Sequence, residues 1–309
     1  MRILRAIEEL ASVEGPVVIA AGVFDGMHLG HQAVLRAALD AVRDSGGTAV
    51  ALTFDPHPAR ILRPSQAPRL LTSTAHKLRL MEDFGFREAL VVPFDRAFAE
   101  IEPEDFVLRL VRAARPLAGI CVGQGWLFGR ARRGDGELLR RLGAANGFLT
   151  TEVPSVMAGG RTVSSTLIRA AIESGDLAGA RDLLGRDYGI LGTVLRGEGI
   201  GRTLGFPTAN LAAHNEQFPP DGVYAVRVCV DGITAPGVAN IGFRPTIAGS
   251  GQRLLEVHLL DFSGDLYGRD IEATFLRFLR GERKFSDLQT LRAAIAADIE
   301  AARRDVFVG

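Results

Sequence analysis

The sequence predicts two domains in series: a parallel α/β sheet covered on both faces over residues 1–184, and an antiparallel β-barrel with a terminal helix over residues 185–309. Three observations carry this expectation. A chain of 309 residues exceeds one average domain of about 150. Its first part alternates short apolar runs with helical periodicity, which is how βαβ units read. Near Leu184 the helical stretches stop, and strand-like runs follow one another across Gly-, Pro- and Asp-rich turns.

Taken in order, the expected parallel strands are PVVIAAGVF, GTAVALTF, EALVVPF, LAGICVG and GFLTTEV. They are apolar on both parities, as strands covered on two faces should be. Helices fall between them. HQAVLRAALDAVRDSG is one, and EPEDFVLRLVRAARP is another. In the latter, Pro103 needs no N–H donor, and Glu102, Glu104 and Asp105 face the positive end of the helix dipole. The expected barrel strands are GILGTVLR, GVYAVRVCVDG, GVANIG, LLEVHLLDF and IEATFLRFL. Ser286 and Gln289 form a capping-box pattern ahead of the last helix, whose apolar stripe is Leu288, Leu291, Ile295 and Ile299. No low-complexity linker separates the halves, and the join falls near 183–188.

Composition excludes several function classes. Lys+Arg and Asp+Glu balance at 36 each, with 22 basic against 21 acidic residues up to Leu184 and 14 against 15 beyond it. A nucleic-acid binder needs surplus positive charge to displace counterions, so none is expected, and any phosphate must be held by local groups. No apolar run approaches the roughly 20 residues of a membrane span, and the N-terminus lacks the apolar core of a signal peptide. Cys121 and Cys229 lie far apart in apolar runs and read as buried small hydrophobes in a reducing cytoplasm. Only Lys77 and Lys284 are lysines; the other 34 basic residues are Arg, which reads as the codon bias of a GC-rich genome. The sequence carries no sign of an oligomeric state.

The first constellation is G-x-F-D-G-x-H-x-G-H at 22–31, between a strand and a helix. Gly22, Gly26 and Gly30 let the backbone turn sharply and approach a ligand, with Phe24 and Asp25 between them. His28 and His31 stand at the helix mouth, where free N–H groups and the dipole favour an anion. Two imidazoles there can donate to phosphate oxygens and stabilise charge developing on phosphorus. A zinc site would need further Cys or His ligands that the string does not supply. Simple capping of the helix is the remaining alternative.

The string closely resembles the histidine signature of the nucleotidyltransferase superfamily, and more narrowly the adenylyltransferase module of bacterial bifunctional riboflavin kinase/FAD synthetases. The resemblance continues through TFDPHP at 53–58, VPFDRAFAEIEPEDFV at 92–107 and VSSTLIR at 163–169. It implies a Rossmann-like α/β nucleotidyltransferase fold. It further implies that Ser164, Ser165, Thr166 and Arg169 bind a triphosphate opposite His28 and His31. His57, between Pro56 and Pro58, either lines the nucleotide pocket or makes a rigid turn. VGQGWLFGRARRGDGELL at 122–139 departs from the family pattern, because Gly125 stands where Asn or Asp is usual and Trp126 where Phe is common. Adenylyl transfer is expected to survive this change in weakened form, with Gln124 or water replacing the lost hydrogen bond. Five arginines between Arg130 and Arg141 read as a solvated loop and helix face more readily than as a phosphate site.

The second constellation is RGEGIGRTLGFPTANL at 196–211, with Gly197, Gly199, Gly201 and Gly205 between two strands. No helix pattern follows, so it is not a dinucleotide fingerprint. Thr208 and Asn210 share a face at period two and are hard oxygen donors suited to Mg²⁺ carrying phosphate. LLEVHLLDF places Glu256 and His258 on one strand face. A carboxylate in an apolar strand suits a general base for a hydroxyl nucleophile, whereas His258 reads as a packing partner. These strings, with PPDGVYAV, GVANIGFRPT, DLYG and LRGERKF, resemble the riboflavin kinase module of the same family. That resemblance implies a glycine loop over ATP, Mg²⁺ and phosphates on Thr208 and Asn210, and Glu256 activating the ribityl 5′-hydroxyl. Arg280, Glu282 and Phe285 would then belong to a flavin-side loop.

The expected function is two-step: phosphorylation of riboflavin to FMN, then adenylylation of FMN to FAD, with ATP as the second substrate of each step. A kinase that has lost the second step, and a sensor that binds flavin nucleotides without turnover, are the two rivals.

Overall fold

The computed structural model describes residues 1–43, 46–197, 200–244 and 252–307. All five expected parallel strands form: β2 (Val17–Ala21), β3 (Thr48–Asp55), β4 (Glu88–Pro93), β5 (Leu117–Gly123) and β6 (Leu149–Val153). A short β1 (Arg2–Leu4), not expected from the sequence, pairs in parallel with β4. The sheet order is β1-β4-β3-β2-β5-β6, all parallel. Every residue of β2 is buried, because apolar layers cover both faces: one built on Ile19, Leu52 and Leu110, the other on Ala20, Leu35 and Met81.

The helices of this half include α1 (Leu29–Arg43), α2 (Pro58–Leu62), α3 (Thr74–Asp83), α4 (Arg96–Ala99), α5 (Pro103–Ala113) and α6 (Gly136–Asn146). Helix α5 starts as expected, with Pro103 in its first turn and Glu104 and Asp105 beside it. A small hairpin, β7 (Met157–Ala158) and β8 (Arg161–Thr162), precedes α7 (Ser165–Ser174) and α8 (Leu177–Leu184).

The second half closes into an antiparallel barrel of order β10-β13-β12-β11-β14-β9. Its strands are β9 (Gly189–Leu195), β10 (Ala209–Ala213), β11 (Gly222–Val230), β12 (Ile233–Arg244), β13 (Gln252–Leu259) and β14 (Asp270–Arg280). A short turn of helix, α9 (Ile200–Thr203), lies between β9 and β10, and α10 (Leu288–Ala302) ends the fold. The cap of α10 corrects the sequence reading. Asp287, not Ser286, is the N-cap, and its carboxylate accepts the Thr290 N–H at 2.8 Å. A charged acceptor is stronger than a hydroxyl, and Ser286 instead donates to Asp287. Bonds from the Thr290 backbone and side chain, with that from Ser286, bring the Asp287 pKa down to about 2. The expected apolar stripe holds except at its start: Ile299 is buried, Ile295 packs beside it and Leu291 is half-buried, while Leu288 is 64% exposed. Cys229 is likewise half-buried rather than buried.

By packing, the chain forms two units: Met1–Arg69 with Thr74–Ser165, and Leu70–Ser73 with Thr166–Gly309. The second unit thus takes in α7 and α8, together with a four-residue segment from far upstream. Tyr188 Oη donates to the carbonyls of Leu71 at 3.2 Å and Gln217 at 2.7 Å, and Asn215 Nδ2 donates to Leu71 at 2.6 Å. Backbone N–H groups of Glu216 and Gln217 donate to Leu70 at 2.9 and 3.0 Å.

Candidate active sites

In the first unit, β2 runs out at Ala21 and the chain makes a tight loop into α1. Phe24 and Met27 hold left-handed backbone angles (φ 53° and 46°), unusual for side chains of this size. Asp25 and His28 are buried within the loop, and Ser165 Oγ donates to the Asp25 carbonyl at 2.9 Å. The His28 and His31 rings stack with centroids 3.5 Å apart. His31 N–H donates to His28 Nδ1 at 3.3 Å, so in the neutral His28 ring the proton sits on Nε2. Capping of the helix and presentation of a donor are therefore one arrangement, not alternatives. Gly30 is closely approached: a Cβ there would stand 3.2 Å from the His28 ring, which would have to shift to admit it.

The other expected residues of this half fall as follows. His57 caps α2, its Nδ1 accepting the Ala59 N–H at 3.1 Å, which is the rigid-turn role. Ser164 and Ser165 open α7, where Thr166 is exposed and Arg169 half-buried one turn on. Gly125 has φ 74°, and nothing lies within 4 Å of where its Cβ would be. Gly, Asn and Asp are the residues that tolerate this conformation, so glycine keeps the turn and loses only the side chain. Gln124 does not stand in for it among the bonds seen here, since its Oε1 accepts from Ser155 N–H at 3.3 Å. Of the arginine cluster, Arg130 pairs with Glu100 at 3.0 Å and Arg133 with Glu102, both at the surface.

One residue of this unit was given no role by the sequence reading. Lys77 of α3 is buried behind the loop, its Nζ donating to the Val23 carbonyl at 2.7 Å and to Thr53 Oγ1 at 3.3 Å. Burial lowers its pKa to about 8, against the opposing pull of Asp25 and Asp55.

In the second unit, the strand registers place Asn210 opposite Glu256 and Glu256 opposite Asn240. A polar row therefore crosses β10, β13 and β12 on one face, while Leu255 and Val257 point to the other and are buried. The polar face also carries Val223 and Val238, which pack with Ile299 and Ala302 of α10. Beside the row lies a cavity of about 800 Å³, lined among others by Thr208, Asn210, Asn240, Glu256, Glu282 and Phe285. A Cβ on Gly197 would collide with the Asn210 amide, and one on Gly201 would stand 3.0 Å from Thr208 Oγ1. Gly197 and Gly201 thus lie close against the side chains of Asn210 and Thr208. Gly199 lies outside the described residues. His258 Nδ1 bonds the Pro207 carbonyl at 2.7 Å, tying β13 to the FPTAN segment. Arg280 is committed to Asp298 of α10 through bonds of 2.8 and 2.7 Å. Asn240 was missed, because one Asn in GVANIG carries no signal until the register sets it beside Glu256. Among the described residues, no three His, Cys, Asp or Glu side chains gather as a metal site. Among the same residues, no helix is long and apolar enough to cross a membrane.

Two family models match the chain in series: FAD synthetase over residues 11–167 and riboflavin kinase over residues 184–306. Curated relatives named bifunctional riboflavin kinase/FMN adenylyltransferase align over nearly the full length. That of Escherichia coli (strain K12) is 40% identical, covering 99% of this chain and 98% of its own. Those of Pseudomonas fluorescens and Bacillus subtilis (strain 168) are 38% and 35% identical, covering 98% and 93% of this chain and 97% and 92% of theirs. A solved structure described as a macrolide-efflux protein from Streptococcus pneumoniae matches with a TM-score of 0.81 at 28% identity, over 98% of this chain and 99% of that one. That likeness bears on the shared fold.

Proposed function

The chain belongs to the bifunctional riboflavin kinase/FMN adenylyltransferase family, and from that premise we propose how its residues divide the work. It phosphorylates riboflavin to FMN with ATP and joins FMN to AMP from a second ATP, giving FAD and pyrophosphate. We place the functional boundary after Leu184, with adenylyl transfer before it and the kinase after it.

At the kinase site, Glu256 takes the proton of the ribityl 5′-hydroxyl while that oxygen attacks the γ-phosphorus, and the bond to ADP breaks. Asn210 and Asn240 stand opposite Glu256 on the neighbouring strands. The donor set fits Mg²⁺: Thr208 and Asn210 offer hard oxygens, and a side chain on Gly197 or Gly201 would crowd the space beside them. When bound there, Mg²⁺ supplies positive charge to the β- and γ-phosphates. Glu282 and Phe285 line the flavin side, and Arg280 anchors that loop through Asp298. The observation that carries this half is the polar row Asn210–Glu256–Asn240 bordering the cavity.

At the adenylyltransferase site, a phosphate oxygen of FMN attacks the α-phosphorus of ATP and pyrophosphate leaves. His28 and His31 donate to the charge that develops there, within the loop of Gly22, Phe24, Asp25 and Gly26. Ser164 and Ser165 carry the triphosphate, and His57 holds the turn beside the nucleotide. Two free cysteines fit a cytoplasmic location.

Incubating the protein with riboflavin and MgATP tests the reading. FMN should appear first and FAD after it, with ADP equal to the sum of FMN and FAD and one pyrophosphate per FAD. FMN without FAD would leave the kinase alone, and neither product would overturn both steps. Gly125→Asn should raise kcat/KM for FMN in the second step severalfold, because the left-handed backbone accepts Asn and the space beside it is open. An unchanged value would mean that no side chain is needed at that position.

A further inference from the structure

Among 36 basic residues, only two are lysine, so a lysine in this chain stands where the compositional pressure toward arginine was resisted. Lys77 is 4% exposed, and a buried ammonium is costly unless something holds it. What holds it is the loop itself. The Val23 carbonyl accepts from Lys77 Nζ at 2.7 Å and from Thr53 Oγ1 at 3.0 Å, and Lys77 also donates to Thr53 at 3.3 Å. This closed triangle joins α3, β3 and the residue that precedes the left-handed Phe24. Leu78 and Met81 of α3 share one apolar cluster with Phe24 and Met27, so helix and loop are packed as well as bonded. The two left-handed residues are strained and persist only where their surroundings fix them.

We propose that Lys77 is a positioning residue for adenylyl transfer: by pinning Val23 it sets the path of the Gly22–His28 loop, and with it the stance of His28 and His31. The inference rests on the assignment of those two imidazoles to the reacting phosphate. A point-like ammonium suits the task better than a planar guanidinium, which spreads its donors over a wider fork and needs more room. The charge is available at neutral pH, because Asp25 and Asp55 oppose the effect of burial.

The test is Lys77→Met in the full chain, with FMN formation by the other half as internal control. With FMN and MgATP supplied, kcat for FAD should fall about 100-fold, the scale of a misplacement near 1 Å, while KM for FMN stays within about threefold. Lys77→Arg should not restore it. Should Lys77→Met fail to fold, Thr53→Val removes one corner of the triangle without stranding a charge, and kcat should fall about 3–10-fold at unchanged KM. Wild-type kcat in the variant that folds, rescue by Arg, or a rise in KM alone would overturn the proposal. If His31→Ala also left FAD formation intact, the assignment of the imidazoles would fall instead, which separates the two failures.

Discussion

Replacing Glu256 by glutamine is expected to lower FMN formation about 1,000-fold, while FMN supplied directly still becomes FAD. The amide keeps the size of the side chain and its place between Asn210 and Asn240, so the cavity and the barrel should be unchanged. What disappears is the ability to accept the proton of the attacking hydroxyl, an effect of about 10²–10⁴ for positioned general bases. Resolving FMN and ADP over time, with circular dichroism to verify folding, measures it. Unaltered FMN formation would move the general base elsewhere in the cavity, with His258 the first alternative although its Nδ1 already bonds Pro207.

The complementary result is expected from His31→Ala: FMN accumulates at the normal rate, and FAD falls about 100–1,000-fold, the loss seen when one preorganised donor is removed from a charge-stabilising site. His31 is the better choice than His28 for this comparison. His28 also accepts the His31 N–H through Nδ1, so its removal would disturb the start of α1 as well as the chemistry. The expected change lies in kcat rather than in KM for ATP, because the donor matters most as charge develops. Equal damage to both steps would mean that the two halves do not hold separate sites.

Most of the fold was legible because burial on two faces writes itself into sequence as unbroken apolar runs, and four of the five expected strands are those runs. β6, at the sheet edge, is largely exposed, with Leu149 77% accessible, and is marked by its β-branched residues rather than by burial. β1 escaped because three residues with one buried side chain hold no pattern; its place comes from pairing with β4. The phosphate loop was legible as a string of spaced residues. Its mechanical support was not, since Lys77 lies 46 residues beyond His31 in the chain and only the packing of α3 brings it to Val23. Asn240 was hidden for a related reason: which residues of two strands meet depends on register, and register is set by turns and side-chain packing rather than by either strand alone. Arg280 was legible as a residue of the flavin-side loop, but not as the partner of Asp298 on a later helix.

The Leu70–Ser73 segment bears on whether this enzyme can be divided. A gene fragment encoding only the kinase, begun after Leu184, would omit the Leu71 carbonyl that Tyr188 and Asn215 both use. Tyr188 Oη would keep the Gln217 carbonyl, but one Asn215 N–H and the backbone N–H groups of Glu216 and Gln217 would lose their acceptors. Each buried donor left unpaired costs about 1–3 kcal/mol, a large share of what a domain of this size has to spare. The barrel unit is therefore discontinuous in sequence. A splitting event, in the laboratory or in descent, has to supply a substitute for four residues that lie far upstream in the sequence before the barrel can stand alone.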